Sequence, residues 1–271
     1  MPLLHEVVSA AHALWPLSGA ENWDVPGLTI GDNSAKVSRI LLAVDAVDAT
    51  VSEAISINAD LLLTHHPLLF RAITTVAEDS YKGRLISRLI RANIGLLGCH
   101  TNADVVENGV SDVIAQSLDL RDTSPISVGV TSSIGIGRVG DLEKPETLGA
   151  LARRLSKILP ATATGIRVSG TFDQLISRVA LCGGAGDSLL SEPAVTGADV
   201  YITSDLRHHP AQDSRERSLI GHGPALIDVS HWASEWLWLE RAAQQLRAAL
   251  PGVDVFVSDA RTDPWDFVVL Q

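Results

Sequence analysis

Cysteine is scarce in this chain: there are two in 271 residues, Cys99 and Cys182. Both fall in expected buried strands and neither has CxxC spacing, which argues against a disulfide framework and suits a reducing compartment. Cationic runs are missing as well. With a net charge of -11, a pI near 5.2 and no lysine- or arginine-rich stripe to track phosphates, sequence-independent nucleic-acid binding is disfavoured. No stretch approaches the roughly 18 apolar residues that a membrane-spanning helix needs. The opening MPLLHEVVSAAHALWPL has no basic n-region and carries His5, Glu6 and His12 within its apolar part. It reads as an amphipathic helix instead of a signal peptide, so the expected location is the cytoplasm, with no membrane partner.

What is present is ordinary globular composition, 46% apolar and 20% charged, enough for one large domain or two of usual size. SRILLAVDA (38–46) is a β-rich run, and DATVSEAISINAD (48–60) has helix-start chemistry with apolar spacing near 3.6. LLLT (61–64) is strand again. A strand, helix, strand unit is the mark of a mainly parallel sheet. YKGRLISRLIRAN (81–93) predicts an amphipathic helix closed by Asn93, followed by the strand IGLLGC (94–99) and a helix over about 109–118.

The second half appears in the same order. SRVALCGGA at Ser177 matches SRILLAVDA at Ser38, and ADVYIT at Ala198 matches ADLLLT at Ala59, both offset by 139 residues (177 − 38 and 198 − 59). His100-x-x-x-Asp104 and His231-x-x-x-Glu235, each just after an apolar strand, form a third pair at an offset of 131 (231 − 100). The expected fold is therefore α/β, with two related three-layer modules arising by internal duplication, mostly parallel sheets and a metal site between them. The expected boundaries are 1–125 and 126–240, with 241–271 a strand and tail that pack back on the first module. A hairpin or loop rich in glycine and serine joins the halves and leads to a helix at about 145–158.

In open parallel α/β sheets, reactive groups collect outside the carboxyl ends of the strands. His65 and His66 after LLLT, His100 and Asp104 after GLLGC, and His231 and Glu235 after ALIDV all stand at such ends. Imidazole with carboxylate suits zinc, iron, manganese or a similar divalent ion, and the absence of cysteine argues against a structural zinc knot. In a continuing strand the two adjacent imidazoles would point to opposite faces. Pro67 ends regular pairing, so at a strand terminus they can diverge toward two ions roughly 3.5 to 4 Å apart. The bland alternative is a strand that surfaces there. If a helix starts with Ser230 as its N-cap, His231 and Glu235 share one face, although that spacing is common on surface helices too.

Other features are open to plainer readings. Gly183, Gly184 and Gly186 in CGGAGDS could hold a phosphate on backbone N–H groups, or could simply make a tight turn. Trp232, Trp236 and Trp238 suit core or subunit-interface anchors more than base stacking, with Trp236 and Trp238 the interface candidates. One of His208 and His209 is a candidate to support a metal ligand from behind or to face the substrate, with a solvated loop as the alternative. His5, His12 and His222 are taken as structural or exposed.

LLLTHHPLLF, GCHTNADVVENGV, CGGAGDS, TSDLRHHPA and LIDVSHWASEW, in that order, resemble the Nif-three-like dinuclear metal-centre proteins, known in many bacteria as GTP cyclohydrolase I type 2 homologues. The resemblance runs from ENWDVPGL (21–28) to about residue 240. WDVPGL departs from it, since the family more often has asparagine after the aspartate. The resemblance implies two divalent ions per subunit on His65, His66, Asp104, His231 and Glu235. It also implies a homohexameric ring and the minimal form without an inserted middle domain. The expected activity is hydrolysis of a nucleotide or related phosphorylated heterocycle, with GTP cyclohydrolase-type ring opening as the specific case and His100 or His209 shuttling protons. A metal-binding regulatory or metal-handling protein without turnover is the rival expectation.

Overall fold

The structure, a computed structural model, describes residues 1–129, 131 and 133–270. In chain order the first elements are α1 (Leu4–Leu14), β1 (Gly27–Ile30), β2 (Arg39–Ala43), α2 (Asp48–Ser56), β3 (Leu61–Thr64), α3 (Tyr81–Arg91), β4 (Gly95–Gly98), α4 (Thr101–Asp104) and α5 (Val110–Ser117). There follow β5 (Arg121–Ser124), β6 (Ser127–Val128), β7 (Gly135–Ile136), β8 (Arg138–Thr147), α6 (Leu148–Ile158), β9 (Arg167–Ser169) and β10 (Leu175–Ala185). The last are α7 (Pro193–Thr196), β11 (Val200–Ser204), α8 (His208–Leu219), β12 (Ala225–Val229), α9 (His231–Ala249) and β13 (Asp254–Val257). They form two compact units, Met1–Ala103 with Trp238–Thr262, and Asp104–Leu237 with Asp263–Gln271.

The first unit carries a five-stranded sheet in the order β1-β4-β3-β2-β13, parallel except where β1 runs against β4. RILLA, LLLT and GLLG are almost wholly buried, as strands covered on both faces require, and so read as unbroken apolar runs. Leu41, Leu62 and Leu96 pack there with Val51 of α2 and Leu85 and Leu89 of α3. Ser80 caps α3 by accepting from the Gly83 N–H, and Arg88 ties α3 to α2 through Asp48 and Ser52. Asn93 turns the chain with φ 56°, a left-handed conformation that asparagine tolerates at a helix end, in line with the expected stop.

Trp238 is fully buried in this unit, edge-on to Trp15 with ring centroids 5.1 Å apart. Core and subunit-interface anchor were both open readings for it, and the deep packing of two indoles makes it core, with no surface to offer. Trp236 is partly exposed.

The second unit has a six-stranded sheet in the order β5-β8-β10-β11-β12-β9, in which β10, β11 and β12 are parallel and the remaining pairings antiparallel. Val139, Ala180, Leu189, Tyr201 and Leu226 belong to its core. α5 packs on β10, and its Asp112 pairs with the buried Arg138 of β8 at 3.2 Å. Arg138 also donates to the carbonyls of Val106, Gly135 and Gly137, which satisfies the buried cation. For that reason the chain from Asp104 onward belongs here, earlier than the expected boundary at 125/126. Conversely, β13 pairs in register with β2, so the stretch through Thr262 joins the first unit, while the tail beyond it counts with the second. The helix expected from 145 begins at Leu148, because Thr147 ends β8 and its side chain accepts from the Ala150 N–H. Val130 and Ser132, within the expected hairpin, lie outside the described residues.

The duplication is visible in hydrogen bonds. Asp60 accepts from the backbone of Ser38 and Arg39 at the start of β2, and Asp199 accepts from Ser177 and Arg178 in the same way in β10. In each unit the three repeated strands lie in the same order, β4-β3-β2 and β12-β11-β10, with an antiparallel neighbour beside β4 and β12.

Candidate metal centre

In the first unit the site begins where β3 ends. The N–H groups of His65 and His66 still bond to the carbonyls of Ala43 and Val44, while the Thr64 hydroxyl donates to the His66 carbonyl and Pro67 turns the chain away. His65 is fully buried and His66 partly so. His100 comes from the end of β4, its N–H donating to the Asn102 side chain. The three rings stand with centroids 5.1 to 5.4 Å apart, and a ligand atom from each lies within 4.8 Å of the others.

Each ring is held from behind. His65 Nδ1 bonds the Cys99 carbonyl at 2.9 Å, His66 Nδ1 the Asp45 carboxylate at 2.7 Å, and His100 Nδ1 the Asp24 carboxylate at 2.8 Å. Opposite an oxygen acceptor, Nδ1 carries the proton, so Nε2 presents its lone pair. Burial disfavours the Asp24 charge, but His100 and the Thr101 side chain and N–H together hold that carboxyl down at about 2. Asp45 also accepts from Thr262. The departure at WDVPGL therefore leaves the aspartate that matters, Asp24, in place.

In the second unit α9 starts at His231 with Ser230 accepting from the Ala233 N–H, the expected N-cap. One turn on, the buried Glu235 meets His231 Nε2 at 2.9 Å, while Asp205 meets His231 Nδ1 at 2.8 Å. Burial opposes a charged imidazole, yet the two carboxylates raise its pKa well above the ordinary value, Glu235 most of all. They favour one positive charge at this place, whether proton or metal ion. Asp205 sits in a left-handed conformation, φ 56°, directly after β11. Such backbone strain is kept where surroundings enforce it.

Asp104 ends the short α4 and is partly buried. Together with burial, Asp104 and Glu235 push the Cys182 thiol up to about 12, so both carboxylates act on the same end of β10 and Cys182 is no nucleophile.

The glycine turn lies against this pair. Gly184 has φ +68°, and a Cβ there would come within 2.6 Å of Glu235 Oε1 and 3.3 Å of His231 Nε2. Its N–H donates to Ser234 and that of Gly183 to Ser111, while the space over Gly186 is filled by Tyr201 and Thr203 hydroxyls. The phosphate cradle expected at Gly183, Gly184 and Gly186 thus has two of its N–H groups committed inside the unit; the turn makes room for Glu235. His208 and His209 are exposed at the start of α8. His5 and His222 are exposed and His12 is partly buried in α1.

The carboxylates Asp24, Asp45 and Asp205 did not emerge from strand-end spacing alone. One of them had a signal. Asp205 stands at the repeat equivalent of His66 (66 + 139 = 205), where a carboxylate replaces the imidazole and turns to hold His231 instead.

An α/β duplication with imidazole and carboxylate groups able to hold metal is the class that this fold and these side chains define. The chain belongs to the Duf34/NIF3 (NGG1p interacting factor 3) family, whose model matches residues 2–264. It is 46% identical over 273 residues to a Streptomyces coelicolor protein named GTP cyclohydrolase 1 type 2 homolog, covering 98% of this chain and 94% of that one. A Mycobacterium leprae protein of the same name is 33% identical over 371 residues, with 97% and 95% covered. The solved structure of Staphylococcus aureus protein SA1388 is 28% identical with a TM-score of 0.88 over 98% of this chain and 99% of that one. A Bacillus cereus protein related to NIF3 matches in fold, with a TM-score of 0.89 at 23% identity, covering 98% and 99%. Among the described residues no helix is long and apolar enough to cross a membrane.

Proposed function

We propose that the chain is a dinuclear metal-dependent hydrolase acting on a nucleotide or a related phosphorylated heterocycle. The residues that would hold its ions are His65, His66, Asp104, His231 and Glu235, with His100 a further candidate beside His65 and His66. The observation that carries this reading is the common pose of the four histidines, each with Nδ1 bonded to an oxygen acceptor. A carbonyl or carboxylate behind an imidazole fixes its tautomer and orientation and raises its basicity toward a metal. The donor set, nitrogen and oxygen without cysteine, fits zinc, iron, manganese or a similar divalent ion.

Such ions, when bound, lower the pKa of a coordinated water and polarise the centre it attacks. The chain's own part is to aim the ligands. Asp45 and Asp24 keep His66 and His100 from turning, and Asp205 does the same for His231. Glu235, buried beside His231, would hold charge in place, and His100 or His209 would shuttle protons. GTP, which the name of the relatives carries, is the first substrate to test, with ring opening at C8 as the proposed reaction. A homohexameric ring is proposed with it, to be checked by sedimentation.

Elemental analysis of the untagged, metal-loaded protein is expected to give about two ions per chain, since a two-metal site needs two. Turnover of GTP or a related nucleotide is expected to fall to background in Glu235→Gln. Fewer than about one ion per chain would sink the reading. Stoichiometric metal with no hydrolysis above the Glu235→Gln control would favour a metal-handling protein instead.

A further inference from the structure

Beside the three imidazoles the first unit leaves two large aromatic side chains open to solvent. Trp23 is 57% exposed and Phe70 46%. They arrive from separate stretches of chain, Trp23 from the loop before β1 and Phe70 from the turn after Pro67. Yet their ring centroids are 5.7 Å apart, and they stand 5.8 and 5.9 Å from the His100 ring. All three contacts are edge-to-face, at 72 to 84°.

Single exposed apolar residues are common and need no cause. Here, however, two aromatics converge on an imidazole of the candidate metal centre, and the same short segments build both features. Trp23 precedes Asp24, whose carboxylate holds His100 Nδ1; Phe70 follows the His65-His66-Pro67 turn. Each edge-to-face contact uses one face of one ring in the pair, and the exposure of Trp23 and Phe70 leaves the rest of their aromatic surface open to a ligand. An open aromatic face next to groups that hold ions is suited to a flat ring with polar edges, since stacking tolerates any π-system.

We propose that Trp23 and Phe70 form the wall that binds a planar heterocyclic ring of the ligand, stacking it beside the imidazole cluster. The proposal deepens the hydrolase reading and rests on it for the chemistry, whereas the stacking itself needs no ion. It assigns recognition of the ring to two residues that neither ligate metal nor move protons.

The probes are guanosine 5′-monophosphate and ribose 5-phosphate, which lacks the base, titrated calorimetrically into the full-length, metal-loaded protein. Wild type is expected to bind the nucleotide, and Trp23→Ala to weaken that binding at least about fivefold, the lower range for losing one base–aromatic stack. Trp23→Phe should stay within about twofold because a π-face is restored, and Phe70→Leu should weaken binding in the same direction as Trp23→Ala. Affinity for ribose 5-phosphate, metal content and mass in size exclusion should not change in any variant. The proposal is overturned if wild type does not bind the nucleotide, or if Trp23→Ala binds it as wild type does. It is equally overturned if Trp23→Ala changes the oligomeric mass, which would make this face a subunit contact. Failure of the hydrolase reading is read separately, from the ion count of the wild-type protein.

Discussion

Behind each imidazole of the candidate centre stands one oxygen, and three of the four belong to aspartates. Behind His66 and His100 an aspartate does more than accept a hydrogen bond: it disfavours the tautomer in which Nε2 would carry hydrogen and turn away a cation. Asp45→Asn is a near-isosteric test, because the amide can present a donor to Nδ1 and so release the ring. Metal affinity is expected to fall about 10- to 100-fold, the usual range for losing such a partner. Competition against a chelator would measure it, with far-UV circular dichroism unchanged. A metal affinity equal to wild type would show that the pose of His66 is set by packing alone.

At the level of elements, the candidate side chains of the first unit follow the carboxyl ends of β3 and β4 and those of the second follow β11 and β12, where parallel α/β sheets generally carry reactive groups. The histidine pair, the helix cap at Ser230 and the i,i+4 pair on α9 were all legible from spacing, because strand and helix periods are local rules. The irregular end of β10 was not. Its glycines suit a phosphate loop or a tight turn equally in sequence, but in the fold Gly184 leaves room for the Glu235 carboxylate. Gly184→Ala should therefore be costly on two counts, the left-handed backbone and the clash at 2.6 Å. Gly165, with φ +60° and nothing within 4 Å, is the internal control, since alanine there meets only the backbone penalty of about 1 to 2 kcal/mol. In urea titrations Gly184→Ala should lose more stability than Gly165→Ala and alone should lower metal content. Equal losses with metal retained would mean that Glu235 has space to move aside.

For the whole molecule the consequential fact is that the first unit is discontinuous in sequence. β13 pairs with β2 from Asp254↔Arg39 to Val257↔Leu42, and Trp238 packs on Trp15. A chain ending at Ala103 would leave β2 as an unprotected edge and an indole without its partner, a template for aggregation. Such a fragment is expected to show no cooperative thermal transition, and residues 1–103 joined by a flexible linker to 238–262 to regain one; a cooperative melt of 1–103 alone would contradict this. By itself the sequence determined the α/β class, the internal duplication and the strand ends that carry His65, His66, His100, Asp104, His231 and Glu235, since these follow from periodicity and short spacing. Only the tertiary structure decided which oxygen stands behind which imidazole, that Trp238 is core, and where one unit gives way to the other. The reason is separation along the chain. The bonds that hold the four rings join residues 21, 26, 34 and 76 positions apart, and such pairings exist only once each unit has brought its distant segments side by side.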